Sequence, residues 1–177
     1  MASFRGHSVC ASALERVGLE RARSTLRGHS FWAGLDDVEP AIFSILRPSL
    51  SRDKQTERLM HAMDNPHLAV LAHPTGRLIG EREGCDIDLE RVLLAARERG
   101  CAVEVNGQPD RLDLNEWHCK LAKEIGVKLV LSTDAHNPSE LGFMRYAVEQ
   151  ARRGWLEPWD ILNTRSLDGL RAALRRL

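Results

Sequence analysis

The fold is decided by residues 101–136, CAVEVNGQPDRLDLNEWHCKLAKEIGVKLVLSTDAH. Two short apolar runs, AVEVN and KLVLS, stand on either side of a segment with helical spacing that ends at Gly126. Parallel neighbours need a crossover, which is usually a helix, so this order of elements indicates a βαβ unit. The same order occurs upstream, where the apolar run HLAVLAH precedes a helical pattern that ends at Gly100. We therefore predict an α/β fold with parallel strands and flanking helices.

Further helices are predicted on both sides of this region. They cover residues 51–64, 137–154, 155–164 and 166–177. Ser51 is a candidate N-cap for the first of them, and Pro138 suits the first turn of the second.

Residues 1–50 differ in character from the rest of the chain. They show a loose helical pattern over 11–27, and the residues that follow mix aromatics, acids and prolines without a sustained period. We expect at most one weak helix there. The predicted organisation is a poorly ordered segment, residues 1–50, followed by a structured domain over residues 51–177.

The composition narrows the class of protein. Lys plus Arg and Asp plus Glu both number 25 in 177 residues, so a formal net charge of zero gives no electrostatic case for binding duplex nucleic acid. The four cysteines show no CxxC spacing, which favours a reduced, cytoplasmic protein. No apolar run approaches the ~20 residues that cross a bilayer, and the first residues lack the apolar core of a signal peptide. We therefore expect no membrane partner.

Polar side chains stand where three predicted strands end. His73 follows the apolar run HLAVLA, and Asn106 ends the run AVEVN. Asp134 and His136 follow the run KLVLS. Because the carboxyl ends of parallel strands converge on one edge of a sheet, we predict that these side chains contribute to one site.

Asp134 and His136 form an Asp-X-His pair that suits a metal ion. On an extended backbone, residues i and i+2 point to the same side, so both side chains could reach one ion or two adjacent ions. A carboxylate with neutral imidazoles suits Zn²⁺ or Mn²⁺, and we predict His73, Asp134 and His136 as metal ligands. Two alternatives stay open, in which Asp134 caps the following helix and His136 is a hydrogen-bonded loop residue.

Two arginines are candidates for binding a phosphate. Arg77 lies in the segment PTGR, and the planar fork of donors on its guanidinium suits phosphate oxygens. Arg111 lies near the predicted mouth of the site, and with Asn106 these residues make up the predicted substrate-binding set. In the alternative interpretations, Arg77 is a surface residue in a turn, and Arg111 forms a local ion-pair and capping arrangement with Asp110 and Asp113.

Other patterns exclude or weaken competing functions. The sequence contains no GxxxxGK[ST], GxSxG or GxGxxG motif, so nucleotide-binding and serine-hydrolase folds lack their usual signatures. His118 lies on a predicted helix beside Trp117 and Cys119, where a structural role is favoured over a metal-binding one.

The segments HPTGR, RLDLN, TDAH and ARRGWL occur in this order and carry a family resemblance. From about Ser51 onward the sequence resembles the C-terminal half of a PHP (polymerase and histidinol phosphatase) domain, above all the PHP module of bacterial family X DNA polymerases. The resemblance implies a distorted (β/α)7 barrel that binds a cluster of two or three ions, usually Zn²⁺ or Mn²⁺. It also implies hydrolysis of phosphoesters, with 3′–5′ exonuclease-like processing of DNA 3′ ends and a role in DNA repair.

The match by motif places three of the family's metal ligands in this chain. The histidine of HPTGR is His73, and the pair in TDAH is Asp134 and His136. The sequence lacks the family's His-X-His strand, and FSILRPSL stands where a Val-His-Ser turn is expected. We therefore expect a partial, truncated barrel that binds a single ion weakly and has little or no phosphoesterase activity.

Two functions are compatible with these observations. The first is an impaired metal-dependent phosphoesterase that acts on a phosphate-containing substrate such as a DNA 3′ end. The alternative is a catalytically inactive remnant that serves as a structural or interaction module, since half a barrel exposes strand edges that recruit a partner or a second copy. An amidohydrolase-like metalloenzyme would share the strand-end ligands but explains HPTGR and RLDLN less well.

Overall fold

A computed structural model of the protein describes residues 42–43, 50–65 and 68–173. The strands are β1 (Ile42–Phe43), β2 (Val70–Leu71), β3 (Ala102–Asn106) and β4 (Leu129–Ser132). The α-helices are α1 (Arg52–Ala62), α2 (Leu89–Arg99), α3 (Glu116–Ile125), α4 (Met144–Arg153) and α5 (Leu167–Ala173). None of these described helices has both the length and the apolar composition that crossing a bilayer requires.

The four strands form one parallel sheet in the order β1-β2-β3-β4. Each strand pairs with its neighbour in the chain, and α1, α2 and α3 lie in sequence between successive strands. This arrangement confirms the predicted α/β fold with a parallel sheet and flanking helices. Closure into a barrel stays a prediction.

Strand β1 was not predicted from the sequence. Ile42 and Phe43 pair with Val70 and Leu71 of β2, whereas the sequence analysis expected at most one weak helix in this part of the chain. Two residues are too short to show alternation, so the strand conformation of Ile42–Phe43 depends on the neighbouring strand and not on a local pattern. The loose helix over 11–27 and the predicted poor order of residues 1–50 lie almost wholly outside the described residues.

The ends of the crossover helices follow local signals. Gly100 and Gly126 end α2 and α3 with φ of 66° and 86°, the left-handed conformation that glycine adopts without penalty. Asn115 caps α3, because its side-chain oxygen accepts a hydrogen bond from the backbone N–H of His118. Ser51 stands at the N-cap position of α1, but its hydroxyl oxygen accepts no capping hydrogen bond from a backbone N–H of the described residues.

The C-terminal helices are shorter and tighter than predicted. Residues Pro138–Phe143 form a 3₁₀ helix that leads into α4. The predicted helix over 155–164 consists of two 3₁₀ turns, Pro158–Asp160 and Leu162–Thr164. Prolines at the start of two of these segments remove backbone donors and favour a tight first turn over a long regular helix. The last predicted helix is α5, and residues 174–177 lie outside the described part.

The two faces of the sheet have different characters. One face packs against the helices through large apolar side chains such as Leu71, Val103 and Leu129. The opposite face carries Val70, Ala102 and Val130 in a smaller apolar cluster. Because side chains alternate along a strand, the residues two and four positions further on lie on this second face, at the carboxyl ends of β3 and β4. They are the polar residues Glu104, Asn106 and Ser132.

Gly154 allows close packing between α3 and the end of α4. A Cβ added at this position would lie 2.3 Å from Cys119 Cβ and 3.0 Å from the backbone oxygen of Glu116. We expect Gly154→Ala to lower the free energy of unfolding by about 1–3 kcal/mol, because the backbone of α3 must move to make room. Urea denaturation followed by circular dichroism measures this change.

Gly142→Ala is the matched control for this prediction. Among the described residues, apart from the chain neighbours of Gly142 and the backbone of its own helix, no atom lies within 4 Å of a Cβ built at this position. We expect this substitution to change the free energy of unfolding by less than about 0.5 kcal/mol. Equal stabilities of the two variants would show that α3 and α4 are not packed as closely as the structure indicates.

Candidate metal site at the carboxyl end of the sheet

The structure brings together side chains from the ends of three strands. His73 follows β2, Asn106 ends β3, and Asp134 follows β4. The His73 Nε2 atom lies 3.5 Å from Asp134 Oδ2, and Asn106 Nδ2 lies 3.2 Å from His73 Nδ1. The imidazole of His73 therefore occupies the centre of this polar group.

The backbone at both His73 and Asp134 is in the left-handed region. Their φ angles are 46° and 49°, values that residues other than glycine adopt rarely and at a cost of about 1–3 kcal/mol each. Unusual backbone conformations of this kind cluster at functional sites, where the surrounding structure enforces them. Two such residues with adjacent side chains make this edge of the sheet a candidate site.

Glu104 is a member of the site that the sequence analysis missed. Its side chain is 2% exposed, and its Oε2 atom accepts a hydrogen bond of 2.8 Å from the backbone N–H of His73. The same oxygen lies 3.4 Å from His73 Nδ1, and Oε1 accepts a hydrogen bond from the hydroxyl of Ser132. The signal for it was an acid inside an otherwise apolar strand, two positions before Asn106 and therefore on the same face.

Arg111 reaches the same group from the loop after β3. Its Nε atom lies 3.7 Å from Asp134 Oδ2, so the Asp134 carboxylate stands between an imidazole and a guanidinium. The side chain of Gln108 contacts the backbone oxygen of Asp134, and the backbone N–H of Gln108 donates to Asn106 Oδ1 at 2.8 Å. A guanidinium thus lies beside the carboxylate of Asp134, and a side-chain amide lies beside the backbone of the same residue.

Arg77 is bound to the Arg111 loop. Its Nε donates a hydrogen bond of 2.6 Å to the backbone oxygen of Arg111, and its Nη2 donates to the backbone oxygen of Leu112. Arg77 therefore supports the loop that presents Arg111. Its predicted role in binding a phosphate stays a prediction.

Asp113 does not take part in the exposed ion-pair arrangement that was predicted for Arg111, Asp110 and Asp113. It is fully buried, and its Oδ2 accepts hydrogen bonds from the backbone N–H groups of Thr75, at 3.0 Å, and Gly76, at 2.9 Å. Those two donors belong to a loop that has no strand partner for them, so a buried carboxylate supplies the acceptor. The ion pair of Arg111 is formed with Asp134 instead.

His136 is the third predicted ligand, and it lies at the exposed rim. Its backbone N–H donates a hydrogen bond of 2.6 Å to Glu140 Oε2, and this bond lowers the pKa of Glu140. Among the described residues, no group of three or more His, Cys, Asp and Glu side chains is arranged to hold a metal ion. The ligand role of His136 stays a prediction.

The distance between His73 and Asp134 is compatible with two ligands of one metal ion. Two ligands that bind one ion at about 2.0–2.2 Å with tetrahedral angles are about 3.3–3.6 Å apart. The observed 3.5 Å between His73 Nε2 and Asp134 Oδ2 lies in this range. One nitrogen and one oxygen donor suit Zn²⁺ or Mn²⁺.

His118 and Cys119, two residues of α3, have pKa values shifted by burial. Burial lowers the pKa of His118, and nearby Asp113 opposes this shift. Burial, with the negative charges of Asp113 and Glu116, raises the pKa of Cys119 to about 12. The Cys119 thiol is therefore protonated at neutral pH and does not supply a thiolate ligand. His118 is half-buried beside Asp113, in agreement with the structural role favoured for it.

The fold and the site together define a class of protein. It is a parallel α/β protein with an imidazole–carboxylate pair at the carboxyl ends of its strands, the position where such folds hold their active sites. No protein-family model matches the chain.

Several known proteins have sequences similar to this chain. The chain is 47% identical over 120 residues to the DNA polymerase/3′-5′ exonuclease PolX of Bacillus subtilis, which is 68% of this chain and 21% of that protein. It is 29% identical over 137 residues to a probable phosphatase of Thermoanaerobacter sp. (strain X514), which is 73% of this chain and 54% of that protein. It is 30% identical over 113 residues to a probable phosphatase of Caldicellulosiruptor bescii, which is 61% of this chain and 45% of that protein.

These similarities confirm the resemblance to the PHP module of the family X polymerases that HPTGR, RLDLN and TDAH carry. The chain spans about a fifth of the length of the Bacillus protein and about half of the length of the two phosphatases.

Proposed function

We propose that this chain is a metal-dependent phosphoesterase of the PHP type with a reduced metal site. The observation that carries the proposal is the 3.5 Å distance between His73 Nε2 and Asp134 Oδ2, which suits two ligands of one ion. Relatives that are named a 3′-5′ exonuclease and probable phosphatases support a phosphoester as the substrate.

The residues around the pair have separate tasks in this proposal. His73 and Asp134 hold the ion, and His136 is the candidate third ligand if its exposed side chain turns inward. When bound, the ion lowers the pKa of a coordinated water and polarises a phosphoryl oxygen. Arg111 orients the phosphate, because its guanidinium donates hydrogen bonds to phosphate oxygens. Asn106 was also predicted to bind the substrate, but it is fully buried and its amide contacts His73 and Gln108, so it supports the site from within.

We propose a single, weakly bound ion of Zn²⁺ or Mn²⁺. Structural and catalytic zinc sites have at least three protein ligands, whereas no group of three or more His, Cys, Asp and Glu side chains among the described residues is arranged to hold an ion. One ion with few protein ligands stabilises less charge in the transition state than a cluster does. The expected activity of the chain is therefore low, and the DNA 3′ end is the substrate that we propose for it.

A second candidate function is that of a catalytically inactive interaction module. The two-donor site favours it, but self-association through the edge of β4 has little support. Asn163 accepts a hydrogen bond from the backbone N–H of Leu131 and donates one to its backbone oxygen, at 2.8 and 3.0 Å. Ile161 also forms a parallel bridge to Leu129. Since these contacts cover the edge of β4, a second copy would have to pair elsewhere.

Metal content and phosphoesterase activity distinguish the two functions. We expect the purified chain to bind about one equivalent of Zn²⁺ or Mn²⁺ in calorimetric titration, as the single pair of ligands implies. We also expect slow hydrolysis of bis-p-nitrophenyl phosphate that stops when a chelator removes the metal and returns when the metal is restored.

Asp134→Asn should abolish both the metal binding and the hydrolysis. Absence of metal binding in the unsubstituted chain, or hydrolysis that survives chelation, would refute the phosphoesterase proposal. A dimer without bound metal, observed by sedimentation, would support the interaction module.

A further inference from the structure

We propose that Trp117, Lys120 and Trp155 form a stacking surface that binds the unpaired bases of single-stranded DNA. None of the three residues belongs to the strand-end site. The inference therefore goes beyond the proposed function, and only the choice of DNA as the nucleic acid rests on the substrate proposed above. Trp155 lies in the segment ARRGWL, to which the proposed function assigns no role.

Two large aromatic side chains of this surface are open to solvent. Trp117 is 71% exposed and Trp155 is 67% exposed. Tryptophan is highly buried on average in folded proteins, because its indole is the largest of the apolar side chains. Large apolar groups that stay exposed side by side mark interaction sites.

Lys120 connects the two indoles. It follows Trp117 by three residues on α3, so the two side chains lie on the same face of the helix. The Lys120 Nζ atom lies 4.7 Å from the centroid of the Trp155 ring. Gly154 permits this approach, since a Cβ added there would lie 3.3 Å from the backbone nitrogen of Lys120. The two indoles and the ammonium therefore make one surface beside the first turns of α3.

The backbone of Trp155 adopts a conformation that is costly for a bulky residue. Its φ is 57°, in the left-handed region. Lys123 Nζ donates a hydrogen bond of 2.6 Å to the backbone oxygen of Trp155, while Lys120 lies over its ring. Two lysines thus hold the indole in place. Strained residues cluster at binding sites, where the surrounding structure enforces them.

The chemistry of the surface fits a single-stranded nucleotide chain. An indole offers a flat π face on which any base can stack. Lys120 and Lys123 contact Trp155, and Arg152 and Arg153 stand in the last turn of α4 just before it. These four cations can attract the phosphates that flank a stacked base.

Neighbouring acids offset most of this positive charge. Glu124, Glu149 and Glu157 lie 2.6–3.9 Å from three of the four cations, so one net positive charge remains. Base stacking must therefore supply most of the binding free energy. A duplex, whose bases stack on one another and are not free to meet the indoles, is expected to bind much more weakly than a single strand.

Titration of the full chain with a fluorescein-labelled oligothymidylate tests the proposal. Fluorescence anisotropy measures the affinity, and quenching of the intrinsic tryptophan emission reports stacking. With about one phosphate neutralised, we expect the affinity to fall only about threefold between about 50 and 200 mM salt. An abasic oligonucleotide of the same length carries the phosphates without the bases and should bind much more weakly.

Substitutions locate the binding on this surface. We expect Trp155→Ala to weaken binding of the oligothymidylate about 5–100-fold, the range for loss of one stacked base. Trp155→Phe keeps an aromatic face and should retain most of the affinity, while Trp117→Ala should weaken binding as Trp155→Ala does. Trp159→Ala is the matched control, because Trp159 is 58% exposed but lies outside the surface.

Equal binding of the abasic oligonucleotide and the oligothymidylate would overturn the proposal. Equal affinities of Trp155→Ala and Trp159→Ala would do the same, and so would failure of the unsubstituted chain to bind either oligonucleotide. The titrations are made with a chelator present. If the chain then binds the oligothymidylate but hydrolyses no phosphoester with metal, the proposed function fails while the stacking surface stands.

Discussion

His73→Ala is expected to lower the affinity of the chain for Zn²⁺ or Mn²⁺ by at least about a hundredfold. Loss of a residue that only supports a ligand costs 10–100-fold in affinity, and loss of the ligand itself costs at least as much. In this structure the effect should be large, because the substitution removes one of the two donors that lie at ligand spacing. Isothermal titration calorimetry with each metal measures the change.

His61→Ala is the matched control. His61 lies on the exposed surface of α1, in the last turn of that helix, and does not contribute to the strand-end site. We expect this variant to bind metal as the unsubstituted chain does. Equal affinities of the His73 and His61 variants would show that the strand-end site does not bind the ion.

Asp113→Ala is expected to lower the free energy of unfolding by roughly 2–4 kcal/mol. The side chain is fully buried and accepts hydrogen bonds from the backbone N–H groups of Thr75 and Gly76. A buried donor that loses its acceptor costs about 1–3 kcal/mol, and the substitution leaves two such donors. Part of this loss is offset, because the Oδ1 atom of Asp113 has no hydrogen-bond partner among the described residues.

Two further variants test whether the loss of stability in Asp113→Ala comes from the buried hydrogen bonds. Asp113→Asn keeps one acceptor oxygen and should lose less stability than Asp113→Ala. Asp110→Ala removes an exposed carboxylate from the same loop and should change the free energy of unfolding by less than about 0.5 kcal/mol. Equal stabilities of Asp113→Ala and Asp110→Ala in urea denaturation would show that the buried hydrogen bonds do not hold the two loops together.

The parts of the fold that could be predicted are those with local causes. Gly100, Gly126 and Asn115 mark helix ends through the conformations and hydrogen bonds that these residues favour within one turn. The apolar runs of β3 and β4 give strands because their side chains suit a sheet that is buried on both faces. Strand β1 could not be predicted in this way, because two residues are too few to show the alternation of a strand. Their strand conformation depends on pairing with β2.

The candidate site also has features that could be predicted from the sequence and features that could not. The position of His73, Asn106 and Asp134 at strand ends was visible in the sequence, and the parallel sheet brings them together. The roles of Glu104, Asp113 and Arg77 were not visible, because their partners lie 28 to 38 residues away along the chain. An acid in an apolar strand indicates a buried partner but does not identify it.

The sequence by itself determined the α/β class, the ends of the crossover helices and the strand ends at which a site could form. These features depend on interactions between residues that are close in the chain. The tertiary structure alone decided that Glu104 contacts the imidazole of His73, that Asp113 is buried, and that His136 lies at the exposed rim. The physical reason is that hydrogen bonds act over about 3 Å, and only the packing of the sheet and its loops sets which distant groups come that close.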